Sequence, residues 1–168
     1  MNVFDEAGIL GIAARMQRLS EQIRKDGFLI YKAYGIDFEP KWFPVVYSLY
    51  FKPGLSVVEL ASEIGFTHPS VITLLKELEK VKLVTSKKHD TDERKRMLYL
   101  SSKGKSIIDK MKPVWEVIIQ AVTELTNTEN NLMKAIIEVE ERIAEQSFFE
   151  RAKKFFPDRM SKSIYPGE

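Results

Sequence analysis

The chain of 168 residues is 44% hydrophobic and 30% charged, ordinary proportions for one soluble, helix-rich domain large enough to bury its own core. It has no cysteine, which excludes disulfides, thiolate zinc sites, cysteine nucleophiles and cysteine redox sensors. Its net charge of +2 is unevenly spread: from Lys76 to Lys112 twelve Lys or Arg stand against six Asp or Glu, a local net of +6, while the remainder nets −4. A positive segment on an otherwise acidic chain is the electrostatic footprint of a nucleic-acid face.

In chain order, the polar, acidic start from Met1 to Glu6 has no signal-peptide pattern. The longest uncharged apolar stretch, Trp42 to Phe51, is about half of a membrane span, so a cytoplasmic protein is expected. Asp5 to about Tyr34 is predicted as a long helix. Its Ile9, Ile12, Met16, Leu19 and Ile23 follow a three-four spacing, a narrow seam suited to packing on its own domain or on a partner helix. Gly35 to Pro40 breaks it, with Pro40 placed to open a second helix rich in Trp42, Phe43, Val46, Leu49 and Tyr50, which Pro53-Gly54 closes.

Ser56 with Glu59 forms a capping box, and Gly65 stands where a left-handed C-terminal residue is needed, so a short helix is expected between them with Leu55, Val58, Leu60, Ala61 and Ile64 buried. Thr67 is the expected cap of the next helix, which carries Val71, Leu74, Leu75 and Leu78 inward and ends near Lys82. Two short helices joined by a glycine turn, the second with a polar outer face, make the helix-turn-helix pattern. The period then turns extended: Leu83 to Lys87 and Arg96 to Leu100 read as strands around the polar, basic stretch Lys88 to Lys95, which makes the hairpin a wing. Ser101 or Ser102 is expected to cap a long helix whose apolar positions run from Ile107 to Leu125, with a kink or break at Pro113. Thr126 with Glu129 is read as the capping box of a last helix whose seam is Leu132, Ile136, Val139 and Ile143, and the tail after Phe155-Phe156-Pro157 is expected to be loosely ordered.

Leu55 to Ala61, Gly65 to Val71, Leu78-Glu79 and Leu83-Val84 together resemble the helix-turn-helix of the MarR family of regulators. Asp92 to Arg96 followed by Leu100-Ser101-Ser102-Lys103-Gly104-Lys105 looks like that family's wing and the start of its fifth helix. Gly35 to Pro44 and Ser147 to Arg151 are also similar to the MarR half of MarR–acetyltransferase fusions, although no acetyltransferase domain is expected within this chain. The resemblance implies a mostly α fold with a small β-hairpin wing. Residues 39–112 would form a winged helix-turn-helix lobe, and residues 1–38 and 113–168 a helical dimerisation region of the same structural domain. It further implies a homodimer on a pseudo-palindromic double-stranded DNA operator.

On the recognition helix the expected DNA-facing residues are Thr67, His68, Pro69, Ser70, Ile72, Thr73 and Lys76. Thr73 can bond a base edge or phosphate, Ile72 can meet a thymine methyl, Lys76 can pair with phosphate or guanine, and Ser70 lies near a phosphate-binding N-terminus. On the wing, Arg94 is the expected minor-groove residue, held by Asp92, a pairing that the resemblance also implies. Lys87, Lys88, Lys95 and Arg96 are expected on phosphates, and His89 is expected to face solvent. Aromatic residues gather at the junction of the first two helices, where core packing accounts for most of them. The resemblance implies a small aromatic effector between the lobes, with Phe28, Tyr31, Trp42, Phe43 and Tyr47 as candidate pocket residues. Two histidines, no glycine-rich phosphate loop and no paired carboxylates leave no catalytic constellation, so no enzyme, metal or cofactor is expected. The alternative is a winged helix used for protein–protein contact, against which the basic wing weighs.

Overall fold

Helix α1 (Ile12–Ala33) starts later than the apolar seam predicts, because a 3₁₀ turn, Gly8–Gly11, precedes it and Gly8 takes a left-handed φ of 53°. The computed structural model describes residues 6–88 and 96–157. The chain divides into two units, 1–118 and 119–168, the boundary falling within one long helix.

In the first unit Gly35 at φ 66° turns the chain out of α1. Pro40 opens a 3₁₀ turn, Pro40–Trp42, and Pro44 takes the first turn of α2 (Phe43–Phe51), so the two prolines share the role expected of Pro40 alone. A two-residue strand β1 (Leu55–Ser56) leads into α3 (Val57–Ile64), followed by α4 (His68–Lys80), β2 (Val84–Lys88), β3 (Arg96–Leu100) and α5 (Ser102–Thr126). The sheet is antiparallel in the order β1-β3-β2, with Leu55 opposite Leu98, Val84 opposite Leu100 and Lys88 opposite Arg96. The hairpin read from the sequence is therefore present, with a third strand added.

Two expected core positions change. Leu55 belongs to β1 rather than to α3, and Val58 is 68% exposed because Leu60 and Ala61 take the inward face of α3. The core draws on each layer: Phe38, Leu49, Leu60, Leu78, Leu98, Ile108 and Met111 are fully buried. Each such side chain stabilises the unit by about 1.5–3 kcal/mol, and together they fix α4 against α2, α3 and the sheet. Helix α5 runs unbroken through Pro113. Asp109, whose carbonyl the proline leaves without its helical partner, lies on the exposed side where water can satisfy it.

In the second unit Thr126 ends α5 instead of opening the next helix: its hydroxyl donates to the Val122 carbonyl at 2.7 Å. The cap of α6 (Leu132–Glu145) is Asn131, in a left-handed conformation, whose side chain accepts from the Lys134 amide at 3.1 Å. A further short helix, α7 (Phe148–Lys153), is capped by Ser147, and the rings of Phe149 and Phe156 meet edge to face. No residue of α6 is buried, and Met133, Ile137, Val139 and Ile143 are all exposed. The residues after Pro157 lie outside those described. Among the described residues no helix is long and apolar enough to cross a membrane.

Candidate nucleic-acid interface

The recognition element is built by three local devices. At the start of α3, Ser56 Oγ accepts from the Glu59 amide and Glu59 Oε2 accepts from the Ser56 amide at 2.7 Å, the reciprocal capping box. At its end Gly65 sits at φ 67° and the Phe66 amide returns to the Ala61 carbonyl, which reverses the chain in a few residues. Thr67 then caps α4: its Oγ1 accepts from the Ser70 amide and shares a 2.8 Å hydrogen bond with the Ser70 hydroxyl.

Val71, Leu74, Leu75 and Leu78 are buried, which turns the opposite face of α4 outward. Thr67, His68, Pro69, Ser70, Thr73 and Lys76 are exposed and Ile72 is half-buried, so the expected recognition residues fall together on one solvent face. The Thr73 hydroxyl donates to the Pro69 carbonyl at 3.1 Å. With its proton committed, Thr73 offers outward only lone pairs and a methyl group. That suits a base amino group or a thymine methyl better than a phosphate, which is itself an acceptor.

Two carboxylates on α4 anchor this helix, and the sequence reading gave neither a role. Glu77 accepts from Lys41 Nζ and, at 2.8 Å, from the Trp42 indole N–H, tying α4 to the turn before α2. These two donors, Lys41 first, hold the Glu77 carboxyl below the usual carboxylate range. Glu79 accepts from the guanidinium of Arg96 at 2.8 Å, while Arg96 Nε donates to Ser86 Oγ at 2.7 Å. Arg96, expected on phosphate, is thus a strut between α4 and both wing strands. The signal available in the sequence was the presence of two acids inside the most basic segment of the chain.

Lys87 and Lys88 are exposed on β2, with Lys87 Nζ 5.6 Å from the centre of the Tyr99 ring. His89, Asp92, Arg94 and Lys95 lie outside the described residues. The Ser-Lys-Gly run after the wing closes the far end of α4. Ser101 Oγ donates to the Lys82 carbonyl at 2.6 Å and accepts from the Gly104 amide, which makes Ser101 the cap of α5. The Ser101 amide donates to the Leu83 carbonyl, and Lys103 Nζ to the Val81 carbonyl at 2.9 Å.

The candidate pocket aromatics pack on one another. Tyr31 is buried and its hydroxyl accepts from the Trp115 indole at 3.0 Å. Burial raises the Tyr31 pKa, and the Trp115 bond partly offsets that rise. Phe43 and Tyr47 pack against each other and each meets the Trp115 ring, while Trp42 meets Phe38. Phe28 is half-buried beneath the ammonium of Lys32. A cleft of about 470 Å³ opens elsewhere, and of the five candidates only Trp42 lines it. Among the described residues no group of three or more His, Asp and Glu is arranged to hold a metal ion.

Residues 35–95 match the MarR family, a segment running from the α1–α2 turn through the helix-turn-helix and into the wing. No curated protein sequence matches the chain. Among solved structures it is similar to the transcriptional repressor CouR bound to a 23-mer DNA duplex, at 23% identity and a TM-score of 0.65, covering 86% of this chain and 98% of that one. It is similar to the regulator MOSR of M. tuberculosis in complex with DNA, at 17% identity and a TM-score of 0.67, covering 79% and 96%. The PcaV regulator of Streptomyces coelicolor with its natural ligand matches at 16% identity and a TM-score of 0.63, covering 88% and 99%. At these identities the likeness is one of fold.

Proposed function

We propose that the chain, whose residues 35–95 match the MarR family, is a MarR-type regulator: a sequence-specific, double-stranded DNA-binding transcriptional regulator acting as a homodimer. The observation that carries this reading is the exposed face of α4, from Thr67 to Lys76, set on a fully packed helix-turn-helix and followed at once by a basic hairpin. A major groove admits one helix, and the N-terminus of α4, with the Ser70 hydroxyl beside it, suits phosphate. Thr73 and Ile72 face base edges, Lys76 a phosphate or guanine. Lys87, Lys88 and Lys95 serve the phosphates, and Arg94, braced by Asp92, enters the minor groove.

The dimerisation surface is assigned to residues 1–38 and 113–168 and the DNA lobe to residues 39–112. Support comes from the exposed apolar residues of the first seam, Ile9, Ile12, Met16 and Leu19. A twofold dimer then sets its recognition helices about 34–36 Å apart on a pseudo-palindrome. CouR and MOSR are seen on DNA and PcaV with a natural ligand, which favours DNA and a small effector as partners here too. The protein works in the cytoplasm and is not an enzyme.

The test is affinity for random-sequence and genome-selected duplexes at two salt concentrations. A regulator shows tighter binding to the selected duplex and a steep fall in affinity with salt. A protein–protein module shows neither, and that outcome removes the proposal.

A further inference from the structure

The loop after α1, the end of α4 and the first turns of α5 enclose the cleft of about 470 Å³. Lys80, Lys82, Lys103 and Lys110 line it, and Asp37 is the one acid among the described lining residues. The C-terminus of α4 carries about half a negative charge, which these ammonium groups exceed several times over, so the cleft keeps a surplus of positive charge. Lys103 spends a hydrogen bond on the neutral Val81 carbonyl and gains no countercharge by it. Trp42 and Ile107 form an apolar wall. The lining cations are ammonium point charges, not guanidinium forks, which suits a tetrahedral, multiply charged oxyanion better than a planar carboxylate. At roughly 30 Å³ for each water in the liquid, the volume exceeds what an oxyanion alone would fill and leaves room for an organic body.

We propose that this cleft binds a small phosphate monoester, its dianion on the lysines and its apolar body on Trp42, and that occupancy changes DNA affinity. The second half rests on the regulator reading above; the first does not. The coupling is local. Lys80 lies in the last turn of α4 and Lys82 just beyond it, and Lys103 caps that end of the helix. The Trp42 indole is bonded to Glu77 on α4 itself. A dianion that draws Lys103 from the Val81 carbonyl, or presses on Trp42, alters what holds the recognition helix.

The probe is phenyl phosphate, titrated calorimetrically into the full chain, with inorganic phosphate and phenol as partial ligands. Phenyl phosphate is expected to bind at one site per chain, at least about tenfold tighter than either part. Lys80→Gln with Lys110→Gln, both exposed helical positions that leave the Lys103 cap intact, is expected to weaken it by about tenfold or more. No binding, or unchanged binding by the folded double variant, overturns the site. So does a double variant that without ligand loses DNA affinity with a shallower salt slope, if phenyl phosphate fails to bind the original protein, because the lysines then serve DNA. Phenyl phosphate binding that leaves DNA affinity unchanged overturns the regulatory half. Phenyl phosphate binding to a protein with no DNA affinity upholds the site and removes the regulator reading instead.

Discussion

The α-carbon of Gly104 lies so close to the carbonyl of Leu83 that a β-carbon built there would collide with its oxygen. The contact is with backbone, which cannot swing aside as a side chain would. It lets the start of α5 reach the chain just past α4, where the Ser101 amide bonds the same carbonyl and Ser101 Oγ bonds that of Lys82. Gly104→Ala is therefore expected to force the two segments apart and destabilise the fold by about 1–3 kcal/mol. Thermal unfolding checks this: a fall in Tm of several degrees is expected, and Ala at the exposed neighbouring position Lys105 should leave Tm nearly unchanged.

Glu77 makes stability depend on pH in a definite direction. Its carboxyl is held below the usual range by Lys41 and then Trp42, so the native state favours the ionised form. The contribution is complete above the ordinary carboxylate pKa and is lost as pH falls through the lowered one. The group is partly exposed, so the effect is at most about 1 kcal/mol. Glu77→Gln should melt below the original protein at neutral pH, and the two curves should converge in acid.

If Arg94 enters the minor groove as proposed, Arg94→Ala should reduce DNA affinity by about 1–3 kcal/mol per contacted half-site and leave Tm unchanged. Fluorescence anisotropy on a selected duplex, beside a melting curve of the same protein, separates the two effects. Unchanged affinity in a folded dimer would remove minor-groove insertion.

Met16→Glu together with Leu19→Glu should convert the proposed homodimer to monomer, because both side chains belong to an exposed apolar seam on α1. Sedimentation velocity at micromolar concentration reads this directly. A monomeric original protein would contradict the assignment.

The helix-turn-helix was legible because its signals are local and redundant: two side-chain caps, a glycine forced into a left-handed turn, and stripes at helical spacing all fall between Ser56 and Leu78. What escaped depends on partners distant in sequence. Strand β1 is two residues that pair only once Leu98 arrives, and its Leu55 fits the period of the following helix equally well. Thr126 with Glu129 carries the letters of a capping box, but its hydroxyl satisfies a carbonyl at the end of α5 and Asn131 takes the cap. Arg96 reads as one more basic wing residue until Glu79, 17 positions earlier, is found beside it. The aromatic residues near Trp42 were visible as a group, but spacing does not tell rings that line a space from rings that fill it with one another.

The joint at the end of α4 also sets the leverage of the recognition helix. Three successive carbonyls, of Val81, Lys82 and Leu83, are grasped by Ser101 and Lys103, so the fulcrum sits at the end remote from Thr67. A helix of 13 residues is roughly 20 Å long at 1.5 Å per residue. Pivoting by about ten degrees there carries the Ser70 end sideways by roughly 3 Å, the length of one hydrogen bond. An adjustment too small to disturb the core would thus displace the outward groups at the Thr67–Ser70 end of α4 most, and Lys76, near the fulcrum, much less.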